Sequence, residues 1–229
     1  MTGLPHHPMI VDVCGTLVHD DTTLGLLRHH FRRGSGAAWP GRAVLFSLLS
    51  ATPVRLSFAV LEKLSGCQIY KSMLIGLLRG QPVALLEESA RGYAAHLLAA
   101  GRCMPVTAAI APAAEAGRLV LASASLAPIV AALAAQLDVP YVASQLGQRD
   151  GILTGRLTVD LTGFKAAALA VLNGAPLAPG SYDMISDNAS DLSMLRDAGD
   201  AVVVLRSPSH RPRWDGKLSA RFIEVYSTP

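Results

Sequence analysis

Three short apolar runs in the sequence end in polar residues that could bind an anion or a metal ion. Asp12, Ser123 and Asp187 stand at the ends of these runs. Runs of this kind are typical of buried parallel strands. Polar residues just past the carboxyl ends of such strands gather in one crevice. We therefore expect the three side chains to lie close together.

Asp12 and Ser123 could each contact an anion. Asp12 precedes a tight turn at Gly15, and the free backbone N–H groups of such a turn form an anion-binding nest. Ser123 could donate its hydroxyl to an anion at the same place. Taken singly, Asp12 also fits a residue that caps a turn, and Ser123 also fits a helix cap. Their common position at strand ends favours the anion site.

Lys165, Asp187 and Asp191 extend this set. Lys165 opens a predicted helix, where a cation is slightly unfavourable against the helix dipole, so we expect it to have another partner. A solvated surface lysine is the alternative. Asp187 and Asp191 place two carboxylates four residues apart at a strand-to-helix junction. Such hard oxygen ligands suit Mg²⁺, whereas an ordinary capping cluster would bind no metal.

Strand patterns alternate with helix patterns around these residues. This alternation predicts βαβ units, and therefore an α/β fold with a mostly parallel, Rossmann-like sheet. Ser125 is the predicted cap of the helix that follows it. The predicted strands cover residues 9–13, 118–122, 182–186 and 200–205, and the predicted helices cover residues 127–137, 165–172 and 191–198.

Between the first strand and the rest of the sheet, the pattern changes to helices alone. We therefore predict an all-helical cap domain at residues 17–106, inserted into a core domain made of residues 1–16 and 107–229. The predicted cap helices cover residues 22–31, 43–50, 54–64, 71–78 and 83–100.

The composition excludes several classes of protein. Of the 229 residues, 51% are apolar and 16% are charged, so the chain is long and apolar enough for a large core and is no disordered tail. The apolar runs are interrupted well before the about 20 residues that a spanning helix needs. A net charge of +3 and an aromatic content of 5% argue against nucleic-acid binding.

The three cysteines and the first eight residues indicate the cellular compartment. Cys14, Cys67 and Cys103 form neither a C-x-x-C pair nor an even framework, so we predict a reducing compartment with neither structural zinc nor disulfides. Residues 1–8 contain no charged segment followed by an apolar one, so no secretory signal is predicted. A cytoplasmic protein is expected.

The first two of these motifs resemble those of the haloacid dehalogenase superfamily. The branch that the chain looks like is the one that resembles phosphoserine phosphatase, with a helical cap after its first motif. The first motif of the family, Asp-x-Asp-x-Thr, is matched by residues 12–16 except at Cys14. Its second motif, an apolar strand that ends in Ser or Thr, is matched by residues 120–125.

The later motifs follow in the family's order. Lys165 matches the lysine near a helix start, and residues 186–191 match Gly-Asp-x-x-x-Asp with Ser186 in place of the glycine. Residues 150–157 also resemble the hairpin that this branch carries before its lysine. The resemblance therefore spans the predicted core and leaves without a match the cap, which is too variable to identify a substrate.

The resemblance implies a magnesium-dependent phosphohydrolase that acts on a phosphorylated small-molecule or lipid substrate. Asp12 would attack phosphorus and form an aspartyl-phosphate. The implied roles are catalysis by Asp12 and Lys165, phosphate binding by Ser123, Thr16 and Lys165, Mg²⁺ binding by Asp12, Asp187 and the backbone carbonyl of Cys14, and orientation of these groups by Asp191 and Asn188.

Cys14 stands where the family has a second aspartate, which protonates the leaving oxygen and then activates water. A thiol, with an ordinary pKa of about 8.5, is a poor match for that carboxyl. Three outcomes follow: His19, Asp20 or Asp21 supplies the proton; the leaving group, such as that of a diphosphate or acyl phosphate, needs no acid; or the chain is a weakened, non-catalytic module. Dehalogenation is a minor alternative.

Residues 43–61 of the cap are apolar on most faces, and four arginines lie at or before their start: Arg28, Arg32, Arg33 and Arg42. This segment fits a buried helical hairpin with a solvated basic face. It also fits an interfacial surface that lies on an anionic bilayer, which would suit a lipid-linked phosphate or diphosphate. A module that binds a protein partner or a membrane through the apolar cap is the non-enzymatic alternative.

Two further groups of residues are assigned to the surface. The histidine pairs at residues 6–7 and 29–30 have no third ligand at metal-binding spacing. A basic cluster around Trp214 is predicted to be a solvated tail, with nucleic-acid binding as the alternative. Its members are Arg206, Arg211, Arg213 and Lys217.

Overall fold

Seven strands in the described part of the chain form one sheet. The structure is a computed structural model that describes residues 4–32, 40–65 and 69–225. The strands are β1 Met9–Val11, β2 Leu119–Leu126, β3 Tyr141–Arg149, β4 Ile152–Val159, β5 Asp183–Ser186, β6 Ala201–Leu205 and β7 Arg221–Glu224. Their order is β4-β3-β2-β1-β5-β6-β7, and all neighbours are parallel except β3 and β4. The predicted α/β, Rossmann-like fold is confirmed.

The helices connect these strands. They are α1 Thr22–Arg32, α2 Pro40–Leu49, α3 Thr52–Ser65, α4 Ile69–Gly76, α5 Val83–Ala100, α6 Met104–Glu115, α7 Ala127–Leu137, α8 Lys165–Asn173 and α9 Leu192–Asp197. Helices α1 to α5 lie between β1 and β2, and the described residues of this segment form no strand. None of the helices in the described ranges is long and apolar enough to cross a membrane.

Helix α6 is absent from the predicted elements. Its sequence is alanine-rich and contains Pro112, which is unfavourable in a helix interior, so its helical periodicity is weak. The helix contacts β2 and begins before residue 107, where we predict the boundary between cap and core. That boundary therefore falls inside a helix.

Strands β3 and β7 are also absent from the predicted elements. β3 mixes buried and exposed residues, and β7 lies half-exposed at the edge of the sheet. β3 and β4 form an antiparallel hairpin where the family resemblance places one. Its turn residues Asp150 and Gly151 have φ values of 52° and 75°, and such positive values are typical of a two-residue hairpin turn.

The sheet has a hydrophobic core on each face. β1 is fully buried, with Met9 and Val11 in one core and Ile10 in the other, as the period of a strand requires. Helices α1, α5, α6 and α7 contribute to the first core, and α8 and α9 contribute to the second. β1 is thereby held rigidly at the centre of the molecule.

The second core corrects the prediction of a solvated basic tail. Trp214 is 2% exposed and packs in this core, and β7 adds the segment that follows it to the sheet. The guanidinium carbon of Arg211 lies 3.9 Å from the centroid of the Phe222 ring. The C-terminal segment is therefore part of the fold up to the end of β7, although the charged residues of the cluster are exposed.

The surface assignment of the second histidine pair is wrong for His30. This residue is fully buried, and its ring nitrogens contact the Ser89 hydroxyl and the Gln81 side-chain oxygen. The reason is that α1 packs against α5 and turns this face inward. Of the three cysteines, Cys14 and Cys103 are free thiols, and Cys67 lies outside the described residues.

Candidate active site

The strand ends bring the predicted polar residues to one edge of the sheet. Val11 pairs with Leu121 of β2 and with Ile185 of β5, so the residues that follow these three positions lie side by side at the same edge of the sheet. A cavity of about 510 Å³ opens at this edge, between the sheet and helices of the predicted cap. Five of the predicted site residues line it: Asp12, Cys14, Ser123, Asp187 and Asn188.

Lys165 lies between two carboxylates, one of which, Asp12, lines this cavity. Its Nζ is 2.9 Å from Asp12 Oδ1 and 2.7 Å from Asp191 Oδ2, and all three side chains are at most 3% exposed. Burial alone would lower the pKa of Lys165, but the charges of Asp12 and Asp191 outweigh it and raise the pKa above its ordinary value. The expected partner of Lys165 is therefore this carboxylate pair.

Asp191 is fixed in turn by the loop that follows β5. The Ser186 hydroxyl donates to Asp191 Oδ2 at 2.7 Å and accepts from the backbone N–H of Asn188 at 3.0 Å. The side-chain oxygen of Asn188 accepts from the backbone N–H of Ser190 at 3.0 Å. Ser186, which replaces the family's glycine, therefore contributes a hydroxyl that holds the lysine's second partner.

Thr16 forms two hydrogen bonds with Asp187, one to its side chain and one to its backbone. Its hydroxyl donates to Asp187 Oδ1 at 3.0 Å and accepts from the backbone N–H of Asp187 at 2.9 Å. Gly15, with a φ of +79°, lies so close that a Cβ there would be 2.3 Å from Asp187 Oδ2. In this structure Thr16 positions Asp187, and the phosphate contact expected of Thr16 stays a prediction.

Ser123 lies in the cavity wall, on a strand that runs further than predicted. β2 continues to Leu126, with an irregular register after Ser123. The Ser123 hydroxyl accepts from the backbone N–H of Ser125 at 3.2 Å. Ser125 does not cap α7 as predicted, because Leu126 occupies the cap position and the Ser125 hydroxyl bonds to the Thr22 hydroxyl.

The site contains more negative than positive charge. Asp12, Asp187 and Asp191 surround the single ammonium of Lys165. Burial above all, with the neighbouring carboxylates, raises the pKa of Asp12 to about 6 although Lys165 opposes the shift, and burial also raises the pKa of Asp187. A divalent cation beside Asp12 and Asp187 would balance this charge.

The donor set fits Mg²⁺. No group of three or more histidine, cysteine, aspartate or glutamate side chains in the described ranges is arranged to hold a metal ion. Mg²⁺ needs only one or two carboxylates, and it keeps several waters. The carboxylates of Asp12 and Asp187 with the carbonyl of Cys14 would supply oxygen ligands of the kind it prefers.

The side chain of Cys14 lies in the same cavity. Its Sγ donates a weak hydrogen bond to the backbone carbonyl of Asp20 at 3.6 Å. Burial, followed by the charge of Asp21, raises the pKa of the Cys14 thiol to about 12. This thiol is therefore a poorer proton donor than a carboxyl group at the same place.

The three alternative proton donors lie in different surroundings. Asp21 lines the cavity that contains Asp12, and its Oδ1 accepts from the backbone N–H of Leu24 at 3.0 Å. His19 and Asp20 line a neighbouring cavity instead, and Asp20 Oδ2 accepts from the Tyr93 hydroxyl at 3.0 Å. Asp21 is thus the candidate that shares the cavity with the predicted nucleophile.

The structure adds two cations that the motifs did not identify. Lys71 of α4 extends to the carbonyl of Ala124 at 3.2 Å and to Asp160 Oδ1 at 2.9 Å, and Arg213 lines the cavity from the opposite end of the chain. Lys71 is the one charged residue in the sequence of α4, which is a signal that could have been recognised. The position of Arg213 depends on the fold of the C-terminal segment.

Solved structures share this fold at low sequence identity. A protein of unknown function from Bordetella pertussis Tohama I is 19% identical, with a TM-score of 0.72 over 95% of this chain and 98% of that one. A HAD family hydrolase from Salmonella enterica serovar Typhi is 19% identical, with a TM-score of 0.60 over 96% and 68%. A phosphoserine phosphatase in its apo form is 16% identical, with a TM-score of 0.58 over 92% of each chain.

Comparison at the level of sequence assigns the chain to a family. A search of curated proteins finds no match. The sequence profile of the haloacid dehalogenase-like hydrolases matches residues 10–196, which include most of β1, helices α1 to α8 and the loop after β5. The chain therefore belongs to the haloacid dehalogenase-like hydrolase family, as its motifs predict.

Proposed function

We propose that this protein is a magnesium-dependent phosphohydrolase that acts through an aspartyl-phosphate on a small or lipid-linked phosphate or diphosphate. The observation that supports it most is the buried contact between Asp12 and Lys165, at the edge of the cavity that Asp187 also lines. A carboxylate nucleophile beside an ammonium that can offset developing negative charge suits attack on a phosphoryl group.

The contacts of Asp12 assign a role to each of its oxygens. Oδ1 accepts from the backbone N–H of Val13 at 2.8 Å and lies 2.9 Å from Lys165 Nζ. Oδ2 is therefore the oxygen that we assign to attack. Its bond to phosphorus forms as the bond between phosphorus and the leaving oxygen breaks, and water later attacks the same phosphorus to release phosphate and the carboxylate.

Lys165 and Ser123 would stabilise the transferred group. The ammonium of Lys165 offsets the charge that develops near Asp12, and the Ser123 hydroxyl can donate to a phosphoryl oxygen. Asp191 keeps Lys165 in place, since it holds the ammonium at 2.7 Å. Mg²⁺, held by Asp12, Asp187 and the carbonyl of Cys14, would neutralise the negative charge of the phosphate.

Cys14 narrows the class of substrate. General acid–base help contributes about 10²–10⁴-fold, and Cys14 lacks the carboxyl that supplies it in the family. The loss is smallest when the leaving group is a weak base such as a phosphate or a carboxylate. We therefore propose diphosphates and acyl phosphates as better substrates than alkyl phosphates. A substrate carried on a lipid would require peripheral contact between the cap and a membrane.

A panel of substrates tests this proposal. Phosphate release from acetyl phosphate, aryl phosphates, prenyl diphosphates and alkyl phosphates is measured with Mg²⁺ and after removal of metal by a chelator. We expect metal-dependent turnover that Asp12→Asn abolishes. A non-catalytic module would instead give equal background rates for the wild type and Asp12→Asn on every substrate, and that result would overturn the proposal.

A further inference from the structure

Helices α2 and α3 expose large apolar side chains. Val44, Leu48 and Leu56 are 60%, 61% and 63% exposed, whereas Phe46 and Leu49 of α2 are buried. Leu48 shares a side of α2 with both Val44 and Leu45, since residues three and four apart are neighbours on a helix surface. α2 contacts α3. We call this surface the cap apolar face, and its residues are Val44, Leu45, Leu48, Leu56 and Leu61.

The segment around the cap apolar face is strongly basic. The forty residues from Thr22 to Leu61 contain no aspartate or glutamate, but they contain five arginines. Because the net charge of the whole chain is only +3, the remainder of the chain is net acidic. The positive charge is therefore concentrated on the part of the cap that also exposes apolar side chains.

Three of these arginines line two cavities next to the helices that carry the cap apolar face. Arg28 and Arg32 of α1 and Arg55 of α3 line a cavity of about 490 Å³. Arg28 and Arg32 also line a cavity of about 340 Å³ together with Phe46 and Ser47 of α2. The arginines of α1 thus lie beside α2 at Ser47, the neighbour of Leu48, and Arg55 of α3 directly precedes Leu56.

We propose that the cap apolar face is a docking surface for an anionic lipid bilayer. Apolar side chains would enter the boundary between headgroups and acyl chains while the arginines contact lipid phosphates. α2 and α3 contain 10 and 14 residues, so they lie along the bilayer and do not cross it. A second copy of the chain is a poorer partner, because a self-complementary contact would bring arginines against arginines.

Docking would also place the active site near the membrane. The cavity lined by Arg28, Arg32 and Arg55 shares Asp21 and Leu24 with the cavity that contains Asp12. A phosphate on a lipid headgroup would therefore have a short path to the candidate nucleophile. This consequence rests on the proposed function, whereas the docking itself does not.

Vesicle co-sedimentation of the full chain tests the docking surface. We expect the protein to sediment with vesicles of equal parts phosphatidylcholine and phosphatidylglycerol, more weakly with pure phosphatidylcholine, and less in high salt. Leu48→Ser with Leu56→Ser should weaken binding about hundredfold, since each leucine loses most of its buried apolar surface. Arg28→Gln with Arg55→Gln should weaken it about twentyfold and reduce the preference for the anionic lipid.

Two controls separate this proposal from its alternatives. Val171 is 84% exposed on α8, so Val171→Ser should leave binding unchanged. Asp12→Asn should lose turnover but still sediment, which makes failure of docking distinguishable from failure of catalysis. The proposal is overturned if the wild type does not sediment with the vesicles. It is also overturned if the leucine variant is folded by circular dichroism and sediments as well as the wild type. A third contrary result is a wild type that is dimeric in solution and a leucine variant that is monomeric.

Discussion

Lys165 Nζ lies 2.9 Å from Asp12 Oδ1, and neither side chain is more than 3% exposed. The two residues lie more than 150 positions apart in the sequence, and the pairing of β1 with β2 and β5 brings the strand end to the helix start. Because Asp191 also contacts Lys165, one cation compensates two buried carboxylates. The stability of the site therefore depends on this lysine as much as its chemistry does.

Replacement of Lys165 by methionine should destabilise the protein. Removal of one partner from a buried ion pair leaves uncompensated charge and costs about 3–5 kcal/mol. Lys71→Met is a control at the same cavity, because the ion pair of Lys71 with Asp160 is partly exposed and such pairs contribute about 1 kcal/mol or less. Urea denaturation at neutral pH measures both. Equal losses for the two variants would contradict the central role of Lys165.

Replacement of Gly15 by alanine should disturb Asp187. The new Cβ would lie 2.3 Å from Asp187 Oδ2, and the φ of +79° is unfavourable for alanine. Gly180→Ala isolates the backbone effect, because Gly180 has a φ of +76° and open space around its Cβ position. Calorimetric titration with Mg²⁺ should show weaker binding for Gly15→Ala alone. Equal Mg²⁺ affinity in both variants would exclude Asp187 as a ligand.

Replacement of Cys14 by aspartate should change the dependence of rate on the leaving group. In the wild type, rates should fall steeply as the leaving group becomes more basic, since no carboxyl protonates it. Cys14→Asp should accelerate alkyl phosphates most, by up to about 10²–10⁴-fold. The measurement is a series of aryl and alkyl phosphates of increasing leaving-group pKa.

Asp21 offers the alternative outcome of that experiment. If Asp21, which lines the same cavity, already donates the proton, the wild type shows a flat dependence and Asp21→Asn shows a steep one. Asp20→Asn is the matched control, because Asp20 lines the neighbouring cavity and bonds to Tyr93. A flat dependence in the wild type would therefore refute the leaving-group proposal.

His30 should make stability depend on pH. Burial lowers the pKa of His30 below its ordinary value of 6.5, so the unfolded chain takes up a proton that the folded protein resists. The free energy of unfolding is therefore not reduced by His30 above pH 6.5. Below pH 6.5, His30 lowers the free energy of unfolding by at most about 1.4 kcal/mol per pH unit. His30→Gln should remove this part of the slope between pH 7 and pH 5. Parallel curves for the two proteins would contradict the assignment.

Local sequence signals predict two of the helices to the residue. Helix α5 spans residues 83–100 and α7 spans residues 127–137, as predicted, because apolar periodicity or Ala/Leu-rich composition and punctuation agree at these places. Strand ends and helix starts can be recognised locally, and these features single out Asp12, Ser123, Asp187 and Lys165 as candidates. The pairing of β1 with β2 and β5 then brings these residues together, and this pairing is not part of any single motif.

Other features depend on partners that lie far away in the sequence. His30 is buried only because Gln81 and Ser89 offer partners across the packed helices, and nothing in its own neighbourhood signals this. Trp214 is surrounded by charged residues in the sequence, yet it fills the second core. The Thr16 hydroxyl likewise donates a hydrogen bond to Asp187, which lies 171 positions away in the sequence.

The most direct test of the account is whether phosphate is transferred to Asp12. The protein is mixed with radiolabelled acetyl phosphate and Mg²⁺, quenched in acid during turnover and digested, and the labelled peptide is identified by mass spectrometry. The account predicts label on the peptide that contains Asp12, its release by hydroxylamine as expected for an acyl phosphate, and no label in Asp12→Asn. Turnover without label at Asp12, or label that persists in Asp12→Asn, would contradict it.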